Sequence, residues 1–263
     1  MIKLFGNIRK KLVAEGKITN YLKYAIGEIV LVVIGILIAL SINTWNENRK
    51  NSIQEAAFFS DILGDLDKDE AKLDYLDGFC KKRIEILTTL LIHVRNPGDT
   101  MGIAKFGRYV EPLYYVDDAT SYSTTFESAK TSGAFNNFRK KDLLKDLTQY
   151  YADFYNLEAN MASVRTLIEN QLEPVMSSLP ISYINAKTGS LVIQEQDTKA
   201  FYQKVGSIKD TRNLIIPYES ILQDPGFESY LVGDMGRTFN AMAKIKIRKE
   251  KLINIKNKIE EQD

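Results

Sequence analysis

Histidine and cysteine are nearly missing from this chain: its 263 residues contain one of each, His93 and Cys80. That scarcity excludes an intrachain disulfide framework and any His/Cys metal cluster, and it leaves most histidine-based catalysis without its base. Both residues fall on one predicted helix, where thirteen positions at about 1.5 Å each hold them roughly 20 Å apart, so they cannot form a dyad within one chain. Cys80 fits an apolar stripe and reads as a small buried hydrophobe, with an intermolecular disulfide as the sharper alternative. An excess of one charge is also lacking, since 35 Lys and Arg face 34 Asp and Glu for a net charge of +1. No nucleic-acid partner is expected on that balance.

The common catalytic motifs are absent: the chain has no P-loop, no G-x-S-x-G and no H-E-x-x-H. Asp65-x-Asp67-x-Asp69 has the alternating carboxylates of a calcium loop, but Glu70 and Leu76 stand where an EF-hand needs glycine and glutamate. These acids read as a solvated face. A di-metal bundle site fails because Leu90 occupies the place of the glutamate three residues before His93. Carboxylate-only catalysis stays open, because paired acids from different helices leave no sequence motif; no enzymatic activity, catalytic residue, metal ligand, cofactor-binding residue or cofactor is assigned.

What the chain does have is a long hydrophobic run. From Ile29 to Leu40 every residue is aliphatic except Gly35. Taken from Tyr24 to Thr44, a helix spans about 31 Å, enough for a hydrocarbon core of roughly 30 Å. Tyr21, Tyr24 and Trp45 lie at its ends, where amphipathic rings favour the interface, and Glu28 is near enough to one end to snorkel. A buried core helix and a cleaved signal peptide are the alternatives, the latter through the small pair Ala39 and Ser41. The leader is long for a signal peptide and the pattern continues through Trp45, so an uncleaved anchor is simpler. Lys3, Arg9, Lys10, Lys11, Lys17 and Lys23 precede the span and only Arg49 and Lys50 closely follow it, which places the N-terminus inside. The domains are therefore a basic amphipathic cytoplasmic leader over 1–23, a transmembrane helix over 24–45, and an external domain over 46–263.

The segment YAIGEIVLVVIGILIAL followed by INTWNENRK, with TTFESAKTSG and the pair Tyr150 and Tyr151 downstream, resembles an uncharacterised family of single-pass proteins of flavobacterial-type Gram-negative bacteria. The resemblance implies a bacterial inner-membrane address with a periplasmic C-terminal domain. It carries no activity and no site residues.

Prolines stand at 97, 112, 174, 180, 217 and 225, leaving three long proline-free windows. A proline inside a helix costs about 3 kcal/mol, so long helices are permitted only in such windows. Apolar residues recur at steps of three and four in each: Phe59 to Val94, including Cys80 and Ile84; Leu143 to Val175; and Leu231 to Ile259, including Met235, Phe239 and Met242. The fold expected is all-α, a membrane helix continuing into an antiparallel bundle of three helices of more than thirty residues plus short ones. Thr124-x-x-Glu127 reads as a capping box and Gly133 as a helix terminator, while residues around 181–193 suggest one small β-hairpin.

Two residue sets carry hypotheses. Gly35, Ala39 and Asn43 recur every four positions and would let membrane helices approach closely and self-associate. The first and last long helices skip their apolar positions at Asp69 and Glu70 and at Arg248 and Lys249, which predicts an ion-pair layer between antiparallel helices. The expected partners are the lipid bilayer and either a protein partner or a second copy of the chain. The function expected is a membrane-anchored interaction or scaffold module, with a ligand-sensing ectodomain working through a separate signalling partner as the alternative.

Overall fold

The computed structural model describes residues 18–96, 98, 101–177, 196–209, 211–212 and 218–261, and among them the protein is all-α, with no strand. The basic leader through residue 17 and the expected hairpin lie outside the described residues. Helix α1, Ile18–Arg95, runs for 78 residues because no proline interrupts the chain before position 97. It alone among the described residues is long and apolar enough to cross a membrane: its apolar window has a mean hydropathy of 2.8 and none of that window is buried. The window is therefore not packed inside the fold of the described residues.

The chain divides into two compact units. The first comprises residues 1–58 with 136–139. There the Phe58 and Phe138 rings lie 5.2 Å apart and the Arg139 amide donates to Glu55 Oε1 at 2.7 Å.

The second unit comprises 59–135 and 140–263. It holds the rest of α1, then α2 (Ile103–Val110), α3 (Thr124–Thr131), α4 (Lys141–Ala152), α5 (Phe154–Leu167), α6 (Glu173–Met176), α7 (Gln196–Ser207), α8 (Tyr218–Leu222) and α9 (Pro225–Glu260). Pro225 opens α9 where its missing N–H costs nothing, and the Asp224 side chain caps the helix by accepting from the Gly226 amide at 2.7 Å.

Ten of the buried positions of α1 follow a seven-residue repeat, with Phe58, Asp65, Phe79 and His93 buried beside them. Phe59, Leu66, Leu73, Cys80 and Leu87 form one line, and Ile62, Asp69, Leu76, Arg83 and Leu90 form the other. Helix α9 does the same with Leu231, Thr238, Ile245, Leu252 and Ile259 beside Phe227, Asp234, Ala241, Arg248 and Ile255. This is the period at which a seam keeps facing a partner helix. The repeat alternates the expected steps of three and four and corrects the expected stripes at single positions. Arg83 rather than Ile84 takes the innermost place on α1, and on α9 Phe239 is exposed while Asp234, Thr238 and Ala241 face inward. The two helices run antiparallel, since Arg95 meets Glu228, Arg83 meets Asp234, Asp74 meets Lys249 and Glu70 meets Lys256. Farther along, Leu87 and Leu90 join Phe106, Leu113, Ile168 and Phe227 in one apolar cluster.

Three expectations are corrected. The second long helix is divided: Asp153, at φ −71° and ψ −13°, is a turn residue between α4 and α5, and a π-helical turn at Ile168–Leu172 precedes α6. Pro174 accounts for the π turn, because it cannot donate to the carbonyl one turn back and a wider turn relieves the clash. The capping box also fails to form. Ser123 holds the N-cap position of α3 without a side-chain cap, and the amides before and within the first turn are taken by α1: Asp69 Oδ1 accepts from Tyr122 at 2.6 Å and Asp65 Oδ2 from Thr125 at 3.2 Å. Asp65 and Asp69 are therefore buried and do not belong to a solvated face; Asp67 remains exposed. Gly133 ends the segment at φ 75°, a left-handed conformation that glycine adopts without strain.

Candidate functional site

Buried charge is concentrated in two layers of the α1–α9 seam. In the first, Arg83 is 1% exposed and Asp234 is fully buried. Arg83 Nη2 donates to Asp234 Oδ2 at 2.6 Å and Nε to Oδ1 at 3.0 Å, the bidentate arrangement that suits guanidinium and carboxylate. The remaining donors reach the carbonyls of Tyr115 at 2.7 Å and Leu113 at 3.1 Å, at the end of the short 3₁₀ segment Glu111–Tyr114. Tyr230 and Thr238 donate to the same carboxylate at 2.8 and 3.0 Å. Burial alone would lower the Arg83 pKa, but Asp234 and its neighbours outweigh it and hold the guanidinium charged more firmly than usual.

In the second layer Arg248 Nη2 lies 3.3 Å from Asp69 Oδ2, which also accepts from Ser121 at 2.7 Å and from the Tyr150 hydroxyl at 2.8 Å. Arg248 is held from every side. Nη1 donates to the Tyr150 carbonyl at 2.6 Å, Nη2 to Ser121 at 2.9 Å, and the guanidinium lies 3.7 Å from the centroid of the Tyr150 ring and 4.9 Å from that of Phe154. Burial, reinforced by Asp69, pushes the Tyr150 phenol far up, so it stays a neutral donor.

Of the residues singled out from sequence, Asp69 and Arg248 are brought together in this layer. Glu70 and Lys249 are not: Glu70 pairs with Lys256 at 2.8 Å and Lys249 with Asp74. Gly35, Ala39 and Asn43 stand on the exposed part of α1, where a Cβ at Gly35 would meet nothing within 4 Å and the Asn43 amide donates to Glu47 at 3.0 Å within the helix. Arg83 and Asp234 were missed. The signal for them was the seven-residue repeat, which places Arg83 on the same line as Asp69.

Beside the second layer a cleft of about 270 Å³ opens between α9 and the α4–α5 junction. Its floor is Tyr150, Leu157 and Arg248, and its rim carries Asp153, Asn156, Lys244, Ile247 and Lys251. At the turn Arg248 donates to Tyr150 O in the last turn of α4, where a cation suits the helix end, and Lys244 donates to Asn156 O in the first turn of α5 at 2.9 Å. Lys251 pairs with Asp153 and, by hydrogen bonding, holds that carboxyl below the usual range.

Cys80 and His93 are both buried on α1, and burial pushes the Cys80 thiol up to about 12. Among the described residues no group of three or more His, Cys, Asp or Glu side chains is arranged to hold a metal ion.

Fold and site together define an all-α protein that combines one exposed apolar helix with a helix-packed unit threaded by buried ion pairs. The chain belongs to a family of unknown function (DUF6090), whose family model matches residues 28–197. That span takes in α1 from Glu28 and all of α2 to α6, while α9, with Asp234, Lys244 and Arg248, lies beyond it. No curated protein and no solved structure matches the chain.

Proposed function

We propose that this protein is a membrane-anchored helical interaction module of the bacterial inner membrane. Residues 1–23 form its cytoplasmic leader, 24–45 cross the bilayer once, and 46–263 form a periplasmic antiparallel helical bundle that engages a protein partner or a second copy. One observation carries the reading: the apolar residues of α1 are exposed along the whole window, on the same helix that supplies one side of the buried seam. Ten of the twelve residues from Ile29 to Leu40 are Ile, Leu or Val. At roughly −0.3 to −0.6 kcal/mol each at the centre of a span, they favour insertion by about 3–6 kcal/mol. The fixed seam supports an interaction role, because it displays helix surfaces in one register.

The alternative, a ligand-sensing ectodomain acting through a separate signalling partner, draws its support from the cleft beside Arg248. Fusions of alkaline phosphatase and of a cytoplasm-only fluorescent reporter to the C-terminus test the topology: phosphatase activity without fluorescence is expected, and the reverse overturns it. In-cell crosslinking through a C-terminal tag then tests the role. Recovery of one stoichiometric envelope partner or of the chain itself is expected, and recovery of neither overturns the interaction reading.

A further inference from the structure

We infer that the cleft between α9 and the α4–α5 junction is a binding site for a small organic carboxylate with a short apolar body. The inference goes beyond the interaction role and rests on no part of the membrane reading. Its floor has an apolar side chain in Leu157, and Ile247 stands half exposed at its mouth. The volume of about 270 Å³ is near the lower edge of small-molecule sites and equals the liquid volume of about nine waters. That suits a metabolite-sized ligand and is too small for a peptide.

Charge sets the other end of the ligand. The rim carries two ammonium groups, Lys244 and Lys251, against the single carboxylate of Asp153. Asp153 is taken by Lys251, and Arg248 in the floor is balanced by Asp69, so the positive charge left over belongs to Lys244. The partner of Lys244 is a backbone carbonyl, Asn156 O, which neutralises no charge. Lys244 and Lys251 are two turns apart on one face of α9, about 10 Å along its axis, and their four-carbon stems let both ammonium groups converge over the cleft. A ligand carboxylate placed there pairs with Lys244 and competes with Asp153 for Lys251, while its hydrocarbon part covers Leu157 and Ile247. A ligand cation is repelled by the same pair, and a bare inorganic anion leaves the apolar part of the cleft wet.

Isothermal titration calorimetry of the full chain in nanodiscs, at constant ionic strength, reads this directly with hexanoate, hexylamine and inorganic phosphate as probes. Saturable binding of hexanoate is expected, with none for hexylamine and at least tenfold weaker binding for phosphate. Lys244→Gln is expected to weaken hexanoate tenfold or more, and Ile247→Ser several-fold. Asp153→Asn, which removes the competitor for Lys251, is expected to tighten it; a variant that merely damages the fold cannot gain affinity. Absence of saturable hexanoate binding, binding unchanged by Lys244→Gln, loss of affinity in Asp153→Asn, or phosphate binding as tightly as hexanoate overturns the assignment. Any of these results leaves the interaction reading untouched, because topology and crosslinking do not depend on the cleft.

Discussion

Arg83 and Asp234 form their ion pair with the charges carried in the opposite sense to Asp69 and Arg248: the cation is on α1 in one layer and on α9 in the other. On each helix the acid precedes the arginine by two heptads, so the antiparallel seam closes acid on base at both layers. Sliding α9 by one heptad sets Asp69 against Ala241 or Ile255, leaving buried charge without a partner. Sliding it by two sets either Asp69 against Asp234 or Arg83 against Arg248. Every neighbouring register is penalised, which is a stronger specification than either pair gives alone.

Removing one partner of the Arg83 layer is expected to be costly. Asp234→Ala leaves a wholly buried guanidinium facing two carbonyls and the Tyr230 hydroxyl, with no counter-charge, a loss of about 3–5 kcal/mol and a fall in Tm of order 10 °C for a domain of this size. The double variant Arg83→Met, Asp234→Leu should be more stable than the single one, yet short of wild type because Leu113 and Tyr115 lose their donor. Thermal melts followed by circular dichroism rank the three.

Exchanging the charges of the second layer is not expected to be neutral. In Asp69→Arg with Arg248→Asp the pair keeps opposite signs, but the arginine at 69 cannot accept from the Tyr122 amide and the acid at 248 cannot donate to the Tyr150 carbonyl. The double variant should therefore be destabilised by several kcal/mol, in the range for breaking a buried hydrogen-bonded pair. Urea titration checks it, and full rescue by the exchange would show that charge sign is the whole requirement.

At acid pH the docking of α3 should weaken. Burial alone would raise the Asp65 pKa, but hydrogen bonds from Thr125 and Lys68 together hold it below the ordinary value of 3.8. A depressed native pKa contributes stability that is present above 3.8 and is lost as pH falls through the lower native value. Asp65→Asn should lower stability at neutral pH and flatten the acid limb of the stability curve, measured by urea unfolding between about pH 2 and pH 6.

The Cys80 thiol should resist alkylation. With its pKa pushed up to about 12 and 1% of its surface exposed, it presents almost no thiolate at pH 8. A raised native pKa contributes stability fully present below the unfolded thiol value, near 8.5, and lost as pH rises through the native one. Intact-mass analysis after iodoacetamide treatment at pH 8 should find the native protein unmodified and the urea-unfolded protein modified once.

Gly35→Ile with Ala39→Leu is expected to abolish any self-association of the apolar part of α1, since bulky side chains keep helix backbones apart. The open space around Gly35 means that the monomer itself tolerates the change. A membrane two-hybrid signal reads the pairing, and a signal unchanged by both substitutions places the contact elsewhere.

Much of the helical skeleton was legible because proline excludes helices so strongly and long apolar stripes are hard to misread. The details lost were those in which a partner element overrides the local signal. Thr124 and Glu127 have the spacing of a capping box, yet from another helix Asp65 takes the Thr125 amide of α3 and Asp69 the Tyr122 amide just before it. Asp153 lies in a window without proline or glycine, so nothing local marked the turn that opens the cleft. Ile84 beside Arg83 blurred the stripe, and counting by three and four chose the apolar neighbour over the charged residue that packs inside. Asp69 and Arg248 could be noticed as gaps in apolar stripes, whereas Lys244 and Lys251 look like any solvated lysines until the α4–α5 junction is placed beside them.

The borrowed caps of α3 have a consequence for the order in which the molecule assembles. Asp65 and Asp69 precede the amides they hold by 60 and 53 residues. An eight-residue segment lies far below the length at which helices persist unaided in water, so α3 acquires its structure only once that long loop has closed. Helix α1 depends on no such closure and can propagate along its own sequence as it is made. The TTFESAKT segment is thus a late-forming piece laid onto an early one, and its amides should exchange with solvent through openings smaller than global unfolding.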